Sequence, residues 1–109
     1  MKFFVVLWIF GIIGRMAVPK KHLSDIYTLF ASIKNEKEAE QLLQDILTPQ
    51  ELESVAERWQ LIQALERGMP QRKIAETLNI SISKITRGSR MLQYGSGGFQ
   101  HFLKKLKKS

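Results

Sequence analysis

Residues 71–90 constrain the fold of this chain more than any other stretch, because they have the pattern of two short helices joined by a tight turn. Ile74 and Leu78 recur at helical spacing and predict the inner face of a first helix. Asn79 follows, and asparagine is one of the few residues that adopt the left-handed conformation such a turn requires. Ser81 is then a suitable N-cap for a second helix. The stretch therefore predicts a helix-turn-helix motif.

Small and apolar residues within the motif predict how its two helices meet. Ala75 suits the crossing point, since a larger side chain there would push the helices apart. Ile80 is expected to fill the angle between the helices, and Ile82 and Ile85 are expected to face the core. This leaves the remaining surface of the second helix to polar and basic residues.

Charge is distributed unevenly along the chain. Residues 67–109 carry ten basic residues and one acidic residue, whereas residues 35–66 carry two basic and eight acidic residues. A strongly basic half suits a polyanion, and a helix-turn-helix places its second helix in the major groove of DNA. We therefore predict double-stranded DNA as the partner, and the alternative is a basic helical hairpin without a DNA role.

Candidate DNA contacts lie on both helices of the motif. Arg72 is the best candidate for reading a guanine, because arginine makes a bidentate contact with that base. Thr86 and Arg90 are expected to contact phosphate and set the register. The full set of predicted DNA-binding residues is Gln71, Arg72, Ile82, Ser83, Lys84, Thr86 and Arg90.

The rest of the chain predicts more helices and no strand pattern. One helix is expected over Ser24–Lys34 with Ser24 as its N-cap, and another after Asn35. A third should begin at the Thr48-Pro49-Gln50-Glu51 capping box and stop at Gly68, and a last one should cover residues 99–108. The prediction is an all-α fold of about six helices. With 109 residues, it is small enough to complete its core as a homodimer.

The N-terminal residues 1–21 form an apolar and then basic extension that differs from the predicted domain over residues 22–107. Its apolar run, residues 3–13, is too short for a membrane-spanning helix, which needs about 20 residues. One interpretation is that translation starts at Met16 and residues 1–15 lie upstream of the true start. The others are a membrane or export signal and an ordinary apolar arm or partner-binding segment.

Gly88 is unexpected inside the second helix of the motif, because glycine in a helix interior costs about 0.5–1 kcal/mol relative to alanine. One interpretation is that it leaves room for a flat ligand between Arg58 and Arg87, whose guanidinium planes can stack on an aromatic ring. The other is that it lets two helices pack closely.

The segments LTPQE, ERWQLIQALERG and QRKIAETLNISISKITRGS resemble the Trp repressor family, and the resemblance covers roughly residues 22–107. It implies an intertwined homodimer and a bound L-tryptophan that acts as a corepressor. By matching motifs, the residues implied to hold the ligand are Leu47, Thr48, Arg58, Arg87, Gly88 and Met91.

Two features depart from the ligand-binding members of that family. Met91 occupies a position where they usually carry a serine near the ligand's ammonium group. The segments 94–99 and 57–60 are similar to a less characterised branch of the superfamily, whose members share the fold and the helix-turn-helix but have no established ligand. Gly88, which that branch usually lacks, favours a tryptophan-responsive repressor of tryptophan biosynthesis or uptake genes, and a ligand-independent DNA-binding regulator of the same fold is the alternative.

Functions of other classes are disfavoured by the residue types present. The chain has no cysteine, and His22 and His101 lack a spaced carboxylate partner or a metal-binding motif. We therefore expect no catalytic residues, no metal and no membrane partner, and we expect a cytoplasmic protein. A fragment of a DNA-processing enzyme and an adaptor that binds through the apolar N terminus are the remaining alternatives.

Overall fold

The computed structural model describes residues 17–107, and within them the fold is all-α, which confirms the predicted class. Six helices follow one another along this part of the chain: α1 (Lys20–Ala31), α2 (Glu36–Ile46), α3 (Pro49–Glu66), α4 (Gln71–Leu78), α5 (Ile82–Tyr94) and α6 (Gly98–Lys107). They divide into two compact units, and the second unit begins at Gln44. The apolar run of residues 3–13 lies outside the described residues.

Helix α1 starts earlier than the sequence predicts. The carbonyl of Pro19 accepts hydrogen bonds from the amides of His22 and Leu23, at 3.0 and 3.2 Å, so the first turn is already closed at Lys20. The prediction of Ser24 as an N-cap is therefore wrong, because Ser24 lies inside the helix. Pro19 is the N-cap instead, in the extended conformation typical of that position, with φ −60° and ψ 146°, and no side chain caps the helix.

Helix α3 has the predicted capping box at its N terminus. The Thr48 hydroxyl accepts a hydrogen bond from the Glu51 amide at 3.1 Å, and the Glu51 carboxylate accepts one from the Thr48 amide at 2.8 Å. Pro49 occupies the first helical position. After the helix, Gly68 has a φ of +78°, which glycine adopts without strain, so the predicted stop is confirmed as well.

The buried core of the second unit lies among α3, α4 and α5. Ile62, Ile74 and Ile85 are fully buried, and Ile80 fills the angle between α4 and α5 as predicted. The prediction that Ile82 faces the core is wrong, because its side chain is 52% exposed. Ile82 is the first residue of α5, and its side chain stays outside the core that Ile85, one turn later, helps to form.

The connection between α4 and α5 has the backbone geometry expected of the motif. Asn79 adopts the left-handed conformation, with φ 55° and ψ 51°. The Ser81 hydroxyl accepts a hydrogen bond from the Lys84 amide at 3.2 Å, which confirms Ser81 as the N-cap of α5. Sequence alone therefore located this turn correctly.

Candidate functional site

The predicted DNA-binding residues are exposed at the start of α4 and along α5. None of their side chains is buried, and most of them form no side-chain hydrogen bond or ion pair within residues 17–107. The unpartnered side chains are those of Gln71, Arg72, Ser83, Thr86 and Arg90. Their donors are thus available to an external acceptor such as phosphate or a base edge.

Lys84 differs from the other predicted DNA contacts. Its Nζ atom lies 3.0 Å from Oε1 of Glu57 on α3, so it already has an anionic partner inside the protein. The Lys84 side chain is 62% exposed and that of Glu57 is 31% exposed. A role for Lys84 at DNA would require it to exchange this carboxylate for a phosphate.

A cavity of about 170 Å³ lies between α3 and α5, and we refer to it as the arginine cavity. It brings together Arg58, Arg87, Gly88 and Met91, four of the predicted ligand residues. The other two, Leu47 and Thr48, do not line it. The complete lining consists of Ser54, Glu57, Arg58, Leu61, Lys84, Arg87, Gly88, Met91 and Phe99.

Most residues that line the arginine cavity come from one face of α3 and one face of α5. The α3 residues are Ser54, Glu57, Arg58 and Leu61, and the α5 residues are Lys84, Arg87, Gly88 and Met91. Each set has the spacing i, i+3, i+4, i+7, which is one face of an α-helix. The sequence prediction missed Ser54, Glu57 and Leu61, and this spacing from Arg58 was the signal that could have found them.

Gly88 allows α3 and α5 to pack closely. A Cβ atom built at this position would lie 2.7 Å from Cδ2 of Leu61 and 3.2 Å from its Cγ. The space that the missing side chain leaves is therefore taken by Leu61, as the close-packing interpretation predicts. The backbone of Gly88 nevertheless borders the cavity, and its role in ligand binding stays a prediction.

The arginine cavity is predominantly cationic. Arg58 and Arg87 are exposed, and neither guanidinium has a hydrogen bond or an ion pair within the described residues. Lys84 adds a third positive charge, against the single carboxylate of Glu57. Unpartnered guanidinium groups bind carboxylates through paired hydrogen bonds, so the lining suits a ligand that carries an acidic group.

A larger apolar groove of about 550 Å³ adjoins the arginine cavity. Its walls come from α3, from the end of α5, from α6 and from the connecting residues 95–97. Trp59 and Phe99 stack in it with their ring centroids 6.3 Å apart. Met91 and Phe99 line both spaces, so the groove and the cavity share a wall.

Residues 17–107 contain neither a membrane-spanning helix nor a cluster of metal ligands. No helix in this part of the chain is both long enough and apolar enough to span a membrane. No three histidine, cysteine, aspartate or glutamate residues of this part converge as metal ligands would.

Comparison with known proteins gives a consistent result. The family model described as Trp repressor protein matches residues 21–107. The chain is 40% identical over 72 residues to a Trp operon repressor homolog of Mannheimia succiniciproducens. The aligned residues cover 65% of this chain and 71% of that protein. It is 39% identical over 79 residues to a Trp operon repressor homolog of Chlamydia trachomatis serovar L2, covering 72% and 84% of the two chains. The chain therefore belongs to the Trp repressor family, a family of regulators and not of enzymes.

Proposed function

We propose that this protein is a cytoplasmic, homodimeric, sequence-specific DNA-binding repressor of tryptophan biosynthesis or uptake genes, with L-tryptophan as its corepressor. The observation that supports this proposal is that α5 carries candidate ligand residues on one face and candidate DNA contacts on another, with Lys84 as the one predicted DNA contact on the cavity face. Lys84, Arg87, Gly88 and Met91 line the arginine cavity. The candidate DNA contacts on the other face lie about 160° to 260° around the helix from Lys84, because each residue advances the helix by about 100°. They are Ile82, Ser83, Thr86 and Arg90.

A ligand in the arginine cavity would touch the same helix that is proposed to read DNA. It would also bridge that helix to α3 through Arg58 and Arg87. If the bridged arrangement is the one that fits DNA, the ligand must raise DNA affinity, and DNA must raise ligand affinity by the same factor. Helix α5 would then couple ligand binding in the arginine cavity to DNA binding directly, because it contacts both.

The positions of Leu47 and Thr48 are explained by a homodimer. Thr48 is the N-cap of α3 and Arg58 is the tenth residue of that helix, so the two lie about 15 Å apart along the helix axis. Neither Leu47 nor Thr48 lines the cavity of its own chain. We propose that a second copy of the chain supplies these two residues to the site.

The experiment that tests the proposal is a DNA titration with and without the ligand. A duplex is first selected from a random library by the full chain in the presence of L-tryptophan, and its affinity is then measured by fluorescence anisotropy. We expect L-tryptophan to raise the affinity about tenfold or more, a typical coupling between two sites. Arg87→Ala should remove this increase, whereas Arg72→Ala should weaken discrimination between the selected duplex and its variants.

The second candidate is a DNA-binding regulator that does not respond to a ligand. The packing of Leu61 against Gly88 favours it, because that contact explains the glycine without any ligand. DNA affinity that is sequence-specific and unchanged by L-tryptophan would select this second candidate over the first.

A further inference from the structure

Lys84 and Glu57 form an ion pair that joins α5 to α3, with 3.0 Å between Nζ of Lys84 and Oε1 of Glu57. We infer that Glu57 competes with a DNA phosphate for Lys84 and thereby restrains the affinity of the protein for DNA. The inference rests on the DNA-binding part of the proposed function and does not depend on the corepressor. It adds a residue that limits DNA binding to the residues that support it.

Lys84 lies where a helix-turn-helix protein meets the walls of the major groove. It is the third residue of α5 and therefore belongs to the first turn, which is the part of this helix that enters the groove. The groove is about 12 Å wide and a helix with its side chains is about 10–12 Å across, so both flanks of the first turn face sugar-phosphate backbone. Lys84 lies on the side of α5 opposite Thr86, so the two side chains would face phosphates of opposite strands.

Lys84 is the predicted DNA contact whose charge is already neutralised inside the protein. The side chains of Arg72 and Arg90 form no hydrogen bond or ion pair within the described part of the chain, so they can bind phosphate without losing a partner. The ion pair of Lys84 is also shorter than that of Lys107 with Glu66, which measures 3.6 Å. A phosphate that reaches Lys84 must therefore displace a carboxylate first.

The ion pair is weak enough to be exchanged during DNA binding. The Lys84 side chain is mostly exposed and the Glu57 side chain is partly exposed, so water screens their attraction and can hydrate both groups after they separate. Exposed ion pairs contribute a factor of about 1.4 to 5 to an equilibrium constant. The loss of the pair should lower DNA affinity by a factor of this size. Because a phosphate contact carries no sequence information, the reduction should be equal for every DNA sequence.

The test is fluorescence anisotropy on the full chain with two duplexes, the one selected in the presence of L-tryptophan and one of scrambled sequence. Glu57→Gln should raise the affinity for both duplexes by the same factor, about two- to fivefold. Lys84→Gln should lower both affinities. It should also reduce the slope of log affinity against log salt concentration by about 0.9, the value for one phosphate contact.

A double-mutant cycle separates the ion pair from other effects of charge. Glu53 is exposed, has no side-chain partner in the described part of the chain and lies one turn before Glu57 in α3. Glu53→Gln therefore measures the general repulsion between a carboxylate of this helix and DNA. In the Lys84→Gln protein, Glu57→Gln should raise the affinity no more than Glu53→Gln does in the wild type. Thermal unfolding of each variant verifies that the fold is retained.

Four results would overturn the inference while leaving the proposed function intact. If Lys84→Gln changes neither the affinity nor the salt slope, Lys84 does not contact phosphate. If Glu57→Gln lowers the affinity, the ion pair positions α5 for DNA instead. An effect of Glu57→Gln that persists in the Lys84→Gln protein would show that the carboxylate acts through space, and an effect that requires L-tryptophan would show that it acts through the ligand. If the wild type binds neither duplex, the inference fails together with the DNA-binding part of the proposed function.

Discussion

Helices α1 and α5 have similar apolar patterns and different surroundings. In α5, Ile85 is fully buried within a core that α3 and α4 complete. In α1, no residue is buried, and Ile26, Leu29 and Phe30 are about equally exposed, at 40%, 38% and 40%. The comparison shows that apolar periodicity predicts the helix and its inner face, whereas what covers that face depends on the rest of the molecule.

The difference has an energetic consequence. Full burial of an isoleucine stabilises a fold by about 1.5–3 kcal/mol relative to its exposure, and Ile85 gains this within one chain. The apolar side chains of α1 gain only part of it. In the proposed homodimer, a second copy would cover them, and their contribution would then depend on protein concentration.

The largest expected effect comes from opening the core. Ile85→Ala should reduce the free energy of unfolding by about 2–5 kcal/mol, because it leaves a cavity where α3, α4 and α5 meet. Urea denaturation at several protein concentrations measures this. The loss should be the same at each concentration, since the contact lies within one chain.

Phe30→Ala is the matched variant in α1. It should lower stability mainly at concentrations where the homodimer forms, and should reduce the rise of the melting temperature with concentration. An equal loss from Phe30→Ala at every concentration would contradict the distinction between the two helices.

An intermediate effect is expected at the contact between α3 and α5. Gly88→Val should cost about 1–3 kcal/mol, because even its Cβ atom would overlap Leu61. The control is Gly98→Val, since a Cβ atom there meets just the Ser96 hydroxyl, at 3.8 Å, and ordinary surface changes stay within about 0.5 kcal/mol. A stable Gly88→Val protein that no longer binds L-tryptophan would instead favour the interpretation of a ligand slot.

The smallest expected effect is at the start of α3. Thr48→Ala removes the acceptor for the Glu51 amide and should cost about 1 kcal/mol of stability, measured by thermal unfolding. Thr48→Ser keeps a hydroxyl in the same place and should lose much less. If both substitutions cost the same, the hydrogen bond is not what stabilises this helix start.

Local signals in the sequence predicted most of the backbone. The Thr48 capping box, the left-handed Asn79 and the Ser81 cap were correct because each depends on a few neighbouring residues. Ser24 was wrong because a good capping residue also occurs inside helices, and Pro19 had already started this one. Local chemistry shows where a helix can begin and does not always show where it does.

The candidate site was predicted in part. Arg58, Arg87, Gly88 and Met91 meet in one cavity, as the family resemblance implies. The ion pair between Glu57 and Lys84 was missed, because residues 27 positions apart give no local signal of their contact. The sequence also left open why position 88 is a glycine, because only the position of Leu61 in the structure shows what occupies the space beside it.

Met91 and Phe99 line both the arginine cavity and the apolar groove, so the two spaces share a wall. A substitution that widens the arginine cavity at either residue also reshapes the apolar groove behind it. If the proposed corepressor occupies the arginine cavity, selection for a different corepressor at either residue would therefore also change the shape of the groove. In the proposed regulator, a larger ligand could be accommodated without changing the shared wall by substitutions on the Ser54 and Glu57 side of the cavity.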